Sequence, residues 1–164
     1  MHIGFKGDLL TPRGDDFEWA YHHHAVEVVP GGVGLFDNGN YRAPAFEEPL
    51  PNTFSRAVRF AIDEASMEVS QTWSYWPTTE EGQVYAVAMG DADFQPETNN
   101  TLVVSGTLVT ADTPSRVWVQ LLEVTEDGTP VFEVDITAQP ESSEQNATTF
   151  EADRIPDIRF IGAE

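Results

Sequence analysis

The sequence predicts an all-β chain made of tandem four-stranded units. Two observations carry this: the apolar residues come in short β-branched and aromatic runs divided by turn formers, and the unit built from these runs occurs twice. The first unit holds Ala25-Val26-Glu27-Val28-Val29, Val33-Gly34-Leu35-Phe36, Ala57 to Ile62 and Met67 to Trp73. The second holds Val84-Tyr85-Ala86-Val87, Leu102-Val103-Val104, Val117 to Leu122 and Val131-Phe132-Glu133-Val134. Pro30-Gly31-Gly32, Asn38-Gly39-Asn40, Pro77, Glu97 to Asn100 and Asp127-Gly128 punctuate them, each cluster rich in residues that accept turn conformations. Asp63 to Met67 is the one stretch with helical character, and it reads as a strand-to-strand turn.

The repeat fixes the architecture to expect. Ser55-Arg56-Ala57-Val58 recurs as Ser115-Arg116-Val117-Trp118, and Ala25 to Gly39 spans the same interval as Ala92 to Gly106. The first copy is longer, and the excess falls in the loop Asn40 to Thr53. Four-stranded units in tandem point to a β-propeller. The expected fold is a partial β-propeller, with one blade over about 21–75, a second over about 84–136 and a partial blade over about 147–160. Thr148 to Ile155 would supply the innermost strand of that third blade. The stretch before Tyr21 reads as the tail of a preceding one. A closed propeller typically needs about 4–8 blades. Residues 1–164 therefore read as a C-terminal fragment of a propeller. The missing blades would come from a longer chain or from a homo-oligomer.

Composition excludes several classes of function. The 164 residues carry 8 basic and 28 acidic side chains, a formal net charge of −20, and no cysteine. Without Cys there is no disulfide framework, thiolate metal site or Cys nucleophile. The negative field repels phosphate, which argues against nucleic acid and anionic membrane as partners. No apolar run approaches the roughly 18 residues of a membrane helix. Met1-His2-Ile3-Gly4-Phe5 lacks the basic-then-apolar pattern of a signal peptide. Lys6 is the only lysine. So acidic and lysine-poor a composition has two readings, ordinary solubility by net charge or a halophilic protein, for which molar salt screens self-repulsion over about 3 Å.

The residues that can carry chemistry lie in two segments. His22-His23-His24 open the first unit; on a regular strand His22 and His24 share a face and His23 takes the other. As a metal site the pair needs a third ligand, for which the sequence offers distant carboxylates alone. As a structural feature the run is a partly buried strand surface. As a catalytic site it lines the channel of its blade. Leu35-Phe36-Asp37-Asn38-Gly39-Asn40-Tyr41-Arg42 carries the Asn-Gly hairpin signal. That turn returns Arg42 to the end of the unit where the histidines lie. Arginine clamps sulfate and phosphate groups by bidentate hydrogen bonds, so His24 and Arg42 make the candidate anion site. In the second copy Asp91 stands where His24 stands in the first, so the strand itself does not demand histidine. Asp91 and Asp93 share a face and are candidates to bind a cation or hold an arginine, or are solvated turn carboxylates. Glu47-Glu48 and Glu80-Glu81 read as solvated loop charges. No phosphate-cradling glycine loop, nucleophile elbow or Walker pattern is present, so no cofactor and no resident metal are expected.

These segments resemble the arylsulfate sulfotransferases. The likeness runs from Gly7-Asp8-Leu9-Leu10 through Trp19, His23-His24-Ala25-Val26-Glu27 and the Phe36-Asp37-Asn38-Gly39 block with Arg42. It continues over Ser55-Arg56-Ala57-Val58, Trp73, Gly90-Asp91-Ala92-Asp93, Asn100-Thr101-Leu102 and Phe150 to Pro156. The resemblance implies a six-bladed propeller, usually exported to the periplasm or outside the cell. It implies transfer of a sulfuryl group from an aryl sulfate to a phenol without a nucleotide sulfate donor. His24 matches the family's channel histidine, with His23 as the alternative register, and Arg42 matches the arginine after the turn. In the family a histidine attacks sulfur to give a sulfohistidine, while other His and Arg groups stabilise the sulfuryl oxygens. This sequence departs from the pattern: no histidine follows His24, so the attacking histidine expected one blade later has no counterpart, and the earlier-blade histidine would fall before Met1. Either this branch uses His24 itself, or the fold persists as a non-catalytic binding or structural propeller. A third reading, an all-β ligand- or carbohydrate-binding module that is secreted, takes Trp19, Trp73, Trp76 and Trp118 as its platform.

Overall fold

Side-chain alternation sorts each apolar run onto two faces, and a sheet with two apolar faces must be covered twice. The computed structural model describes residues 9–40, 42, 54–79, 82–109, 117–138 and 146–155. Among these every regular element is a strand. They run β1 (Thr11–Arg13), β2 (His23–Val29), β3 (Gly32–Asp37), β4 (Arg56–Asp63), β5 (Glu68–Tyr75), β6 (Thr78–Thr79), β7 (Gly82–Gln83), β8 (Tyr85–Ala86), β9 (Asp91–Gln95), β10 (Asn100–Val109), β11 (Trp118–Val124) and β12 (Pro130–Ile136). The loop between Arg42 and Phe54, Glu80-Glu81, Ser115-Arg116 and the stretches before Leu9 and after Ile155 lie outside the described residues.

Strands β2 to β5 form an antiparallel meander, and β1 joins the outer edge of β5 in parallel. The connection after β4 is a turn rather than a helix. Asp63 Oδ1 accepts from the amides of Ala65 (2.9 Å) and Ser66 (3.2 Å), an Asx turn that offers the backbone an alternative to the helical ladder. The second sheet has the order β12-β11-β10, with β9 along one half of the free edge of β10 and the short β8 along the other.

The two sheets pack face to face. Phe36, Ala57 and Trp73 of the first sheet share one buried cluster with Val84, Ala86, Ala92, Val103, Leu108, Leu122 and Val124. The outer face of the first sheet, Leu35, Val58, Phe60 and Val69, is covered by the N-terminal segment through Leu10, Phe17, Trp19 and Ala20. The far face of the second, Leu102, Val104 and Val119, meets Ala147 and Ala152. The layers are therefore segment, sheet, sheet, segment. Phe36 is fully buried at the centre, and burial of a side chain of that size stabilises by roughly 1.5–3 kcal/mol.

Gly90 shows how tight this seam is. Its φ is +116°, and a Cβ added there would lie 2.5 Å from Phe36 Cδ1 and 2.8 Å from the Val104 carbonyl oxygen. Gly90→Ala is expected to destabilise the fold by about 3 kcal/mol, from backbone strain and overpacking together. A urea titration reads this directly, and a midpoint equal to wild type would contradict the packing.

The structure revises the internal repeat. The ladder pairs Asp37 with Arg56 in the first sheet and Ser105 with Gln120 in the second. Gln120, not Arg116, therefore stands where Arg56 stands. The ladder shifts by one residue at the irregularity between Ser105 and Leu108, and Arg116 itself lies outside the described residues. In the inner strands His24 lies opposite Phe36 and Asp91 opposite Val104, so the second copy is one residue longer between these partners.

Residues 147–155 form no ladder among the described residues, since a strand exists only where a second strand lies beside it. Yet they meet the second sheet as residues 86–90 meet the first. Thr149 N donates to Gly106 O (3.1 Å) and Gly90 N to Phe150 O (3.3 Å). Asn38 of the first sheet likewise reaches the carbonyls of Ala86 and Met89.

The four tryptophans do not share one platform: Trp73 and Trp76 border one cleft, and Trp19 and Trp118 lie against separate clusters. Trp73 is buried with its indole N–H on Glu126 O at 3.0 Å. Trp19 and Trp118 pack against core clusters. Trp76 alone of the four is well exposed, because it lies beyond the end of β5.

Candidate active site

Three consecutive histidines are set apart by the backbone that carries them. His22 and Ala25, on either side of the pair His23-His24, take φ values of 53° and 50°. Residues with a Cβ enter that region at a cost of about 1–3 kcal/mol, and such strain collects at functional sites. The ladder is irregular between His24 and Glu27, a bulge that re-aims the side chains beside it. His24 is half-buried, while His22 and His23 are exposed.

Each side chain of the Phe-Asp-Asn-Gly turn has a separate task. Asn38 is fully buried. Its Nδ2 donates to Ala86 O (2.9 Å) and Met89 O (2.8 Å), and its Oδ1 lies 2.6 Å from His24 Nδ1. The Ser55 hydroxyl locks the same corner, donating to Asn38 O and accepting from the Ala86 amide, each at 2.8 Å. At the rim, Asn40 Nδ2 donates to Val87 O (2.9 Å) and reaches His22 Nδ1 at 3.4 Å, while its Oδ1 accepts from the Tyr85 hydroxyl.

Asp37 faces the other way and holds the arginines. Its Oδ1 accepts from the amides of Tyr21 (2.8 Å) and Gly39 (3.0 Å). Its Oδ2 accepts from Arg42 Nη2 and Arg56 Nε, both at 3.0 Å. Asp37 is fully buried, and the side chains of Arg56 and Arg42 are 2% and 7% exposed. Arg56 also donates to Gln71 Oε1 and the Glu18 carbonyl. The Glu18 carboxylate spans the two guanidinium groups, 3.1 Å from Arg42 Nη1 and 3.3 Å from Arg56 Nη1. Arg42 stacks over the Phe54 ring at 4.2 Å and donates to the Phe54 carbonyl oxygen. Its Nε and Nη1 are buried without an aligned hydrogen bond.

The turn thus brings Arg42 to the same end of the sheet as the histidines, but to the face opposite His24, the face of Asp37, whose ladder partner is His23. Consecutive residues on a strand point apart, so Asp37 draws Arg42 toward Glu18 of the N-terminal segment. Asn38 joins His24 to the segment leading into β9. Arg42, the arginine expected at the anion site, lies in an ion-pair network with Asp37, Arg56 and Glu18. Asp37, Asn38, Arg56 and Glu18 were not among the residues expected at the site. The signal for the first two was present, since Asp and Asn side chains within a turn readily bond to neighbouring groups.

Asp91 belongs to a second cluster, where the inner strands of the two sheets meet. Glu27 Oε1 accepts from the Phe94 amide across that seam at 2.7 Å. Burial raises the Glu27 carboxyl to about 7, and the charges of Asp93 and Asp91 push it the same way. Burial likewise raises Asp91 to about 6, with Asp93, Glu151 and Asp153 adding to the shift. Among the described residues no group of three His, Asp or Glu side chains is placed to hold a metal ion.

A carboxyl raised on folding binds its proton more tightly in the native state. Its stabilising contribution is complete below the ordinary carboxylate range and is lost as pH rises through the folded value. The melting temperature is therefore expected to fall between about pH 5 and pH 8. Glu27→Gln should flatten that dependence and raise the melting temperature at the alkaline end. Equal slopes for the two proteins in a calorimetric pH series would refute this.

The outer side of β5 carries an open cleft of about 550 Å³, lined by Asp16, Glu18, Phe54, Arg56, Gln71 to Ser74 and Trp76. Neither His24 nor Arg42 lines it. None of the curated proteins compared matches the chain. The family model described as Arylsulfotransferase (ASST) matches residues 3–147, a span that includes the histidine strand, the Phe-Asp-Asn-Gly turn and both sheets. With that match over most of its length, the chain belongs to the arylsulfotransferase family.

Proposed function

We propose that the protein transfers a sulfuryl group from an aryl sulfate ester to a phenolic acceptor, with His24 as the group that takes up the sulfur. The observation that carries this is the His24 ring, half-buried at the strained start of β2. Its Nδ1 is engaged by a fully buried asparagine, and no hydrogen bond to Nε2 is present among the described residues. A positioned imidazole is a competent nucleophile near neutral pH. The Nε2 lone pair forms the N–S bond as the S–O bond to the aryl group breaks, and the aryl oxide departs and takes a proton from water. The acceptor oxygen then attacks sulfur, the N–S bond breaks, and the acceptor's proton passes to solvent. A phenol with pKa near 10 leaves without full prior protonation.

In this reading Arg42 frames the site through Asp37. The two sheets are consecutive blades of a propeller, supported by the recurrence of the contacts that Asn38 and Gly106 make to the segment that follows each sheet. The halophilic character read from the net charge of −20 belongs to this reading too, and assays at molar salt suit it.

The test is 4-nitrophenyl sulfate with phenol as acceptor, followed by release of 4-nitrophenolate. Mass spectrometry after an alkaline quench should find a sulfuryl group on the peptide that contains His24. No release and no adduct would overturn the assignment. The second reading, a non-catalytic member of the fold, draws on the absence of any histidine after His24. It expects binding of the ester without 4-nitrophenolate release.

A further inference from the structure

We infer that Asn38 is a positioning residue that fixes the tautomer of His24 and leaves Nε2 as the nitrogen with the lone pair. The inference deepens the proposed function and rests on it for its consequence, but its geometry is independent of substrate. An asparagine amide has one acceptor end and one donor end, and the partners decide which is which. Here the decision is forced. The carbonyl oxygens of Ala86 and Met89 can only accept, and both lie within hydrogen-bond distance of one terminal atom of Asn38, at 2.9 and 2.8 Å. That atom must be the NH₂ group, and its two hydrogens are then both used. The other terminal atom is the oxygen, 2.6 Å from His24 Nδ1. An oxygen facing a ring nitrogen at that distance needs a hydrogen between them, so Nδ1 carries the proton. In the neutral ring Nε2 then has none.

The asparagine has no freedom to do otherwise. It is fully buried, and the Ser55 hydroxyl bonds its carbonyl oxygen and the Ala86 amide together. Turning the amide over would set two oxygens against its oxygen and leave its NH₂ facing Nδ1. The same oxygen accepts equally well from the protonated imidazole, so the contact survives when the ring carries charge. The rim asparagine does the reverse. Asn40 Nδ2 is held by Val87 O at 2.9 Å and points a hydrogen toward His22 Nδ1 at 3.4 Å. The neighbouring histidine is thereby offered a donor where His24 is offered an acceptor. Imidazole in water favours the tautomer protonated at Nε2, which is the one unable to attack through that atom. Asn38 reverses the preference.

The experiment is ¹⁵N NMR of histidine-labelled wild-type protein at about pH 9, where the neutral ring is observed, with the His24 signals assigned by their loss in His24→Gln. The expected result is a protonated Nδ1 and an unprotonated Nε2 for His24. A dominant Nε2–H form would overturn the inference outright, and this measurement needs no variant of Asn38. The second arm is Asn38→Leu, which removes the acceptor, beside Asn38→Asp, which keeps it. In Asn38→Leu the Nε2–H tautomer should take over and kcat for 4-nitrophenyl sulfate should fall about 10–100-fold at unchanged KM, by analogy with the range seen when the orienting partner of a metal-ligating histidine is removed. Asn38→Asp should keep the Nδ1–H tautomer. An Nδ1–H form retained in a folded Asn38→Leu would show that Asn38 does not set it. Wild-type protein with the expected tautomer but no sulfuryl transfer would defeat the proposed function and leave the role of Asn38 standing.

Discussion

Asp37→Asn is expected to lower stability by about 3–5 kcal/mol, the usual cost of breaking a buried charge pair from one side. The wild-type carboxylate accepts four hydrogen bonds: two from backbone amides at the turn, one from Arg42 and one from Arg56. Asparagine fits the space but presents an NH₂ group to one pair of those donors. The guanidinium groups, nearly closed off from water, then keep Glu18 as their one charge partner among the described residues. Glu18 is itself 41% exposed, so water screens what it contributes. Urea unfolding measures the loss. A midpoint shift equivalent to less than about 1 kcal/mol would mean that the network is not the anchor of the turn. A double replacement, Asp37→Leu with Arg56→Met, removes the carboxylate and one of its two arginines and leaves Arg42 with Glu18. It should recover part of the loss, because the damage lies in the uncompensated arginine rather than in any large net value of the pair.

His24→Ala is expected to remove sulfuryl transfer, by about 10⁴-fold or more in kcat if the ring is the nucleophile. Its effect on stability should be small. The ring is half-buried, and the one bond it forfeits leaves Asn38 Oδ1 without a partner at a cost of about 1–3 kcal/mol. That separation of activity from stability distinguishes His24 from Asp37. His23→Ala serves as the control. That side chain is exposed at the ladder position opposite Asp37, and its loss should leave kcat within about twofold, as expected of a surface change. A His23→Ala variant as inactive as His24→Ala would shift the assignment to the alternative register.

Much of the architecture is legible because it follows from local chemistry. Val, Ile, Phe and Trp in short runs, with Gly, Asn and Asp between them, specify strands and turns wherever the chain goes. Asp63 ends its strand by bonding its own neighbours, so that turn is local too. The correspondence of His24 with Asp91 is visible because spacing along the inner strands changes by a single residue between the copies. The correspondence of Arg56 with Arg116 misleads, because the likeness of two tetrapeptides carries no information on ladder register, and the ladder sets Gln120 opposite Ser105.

The site is only half legible, for a reason that Arg42 illustrates. The sequence places it at the right end of the sheet and identifies it as a group suited to an anion. It does not say which anion. Asp37 is five residues away along the chain and in direct contact, so the arginine is committed to the protein's own carboxylate. Asn38 illustrates the converse. As sequence it is half of a hairpin signal, and its partners at Ala86 and Met89 lie about fifty residues on.

The chain by itself therefore determined the strand content, the two repeated units, the excess of negative charge and the residues that link it to its family, because each is a property of neighbours along the sequence. Only the tertiary structure decided that Arg42 and His24 face opposite sides, that Asp37 is a buried anchor and that Asn38 presents an oxygen to the His24 ring. Those are questions of which polar group meets which in a place closed to water. There an unmatched charge or amide costs more than local propensity can supply, and residues distant in sequence must settle the pairing.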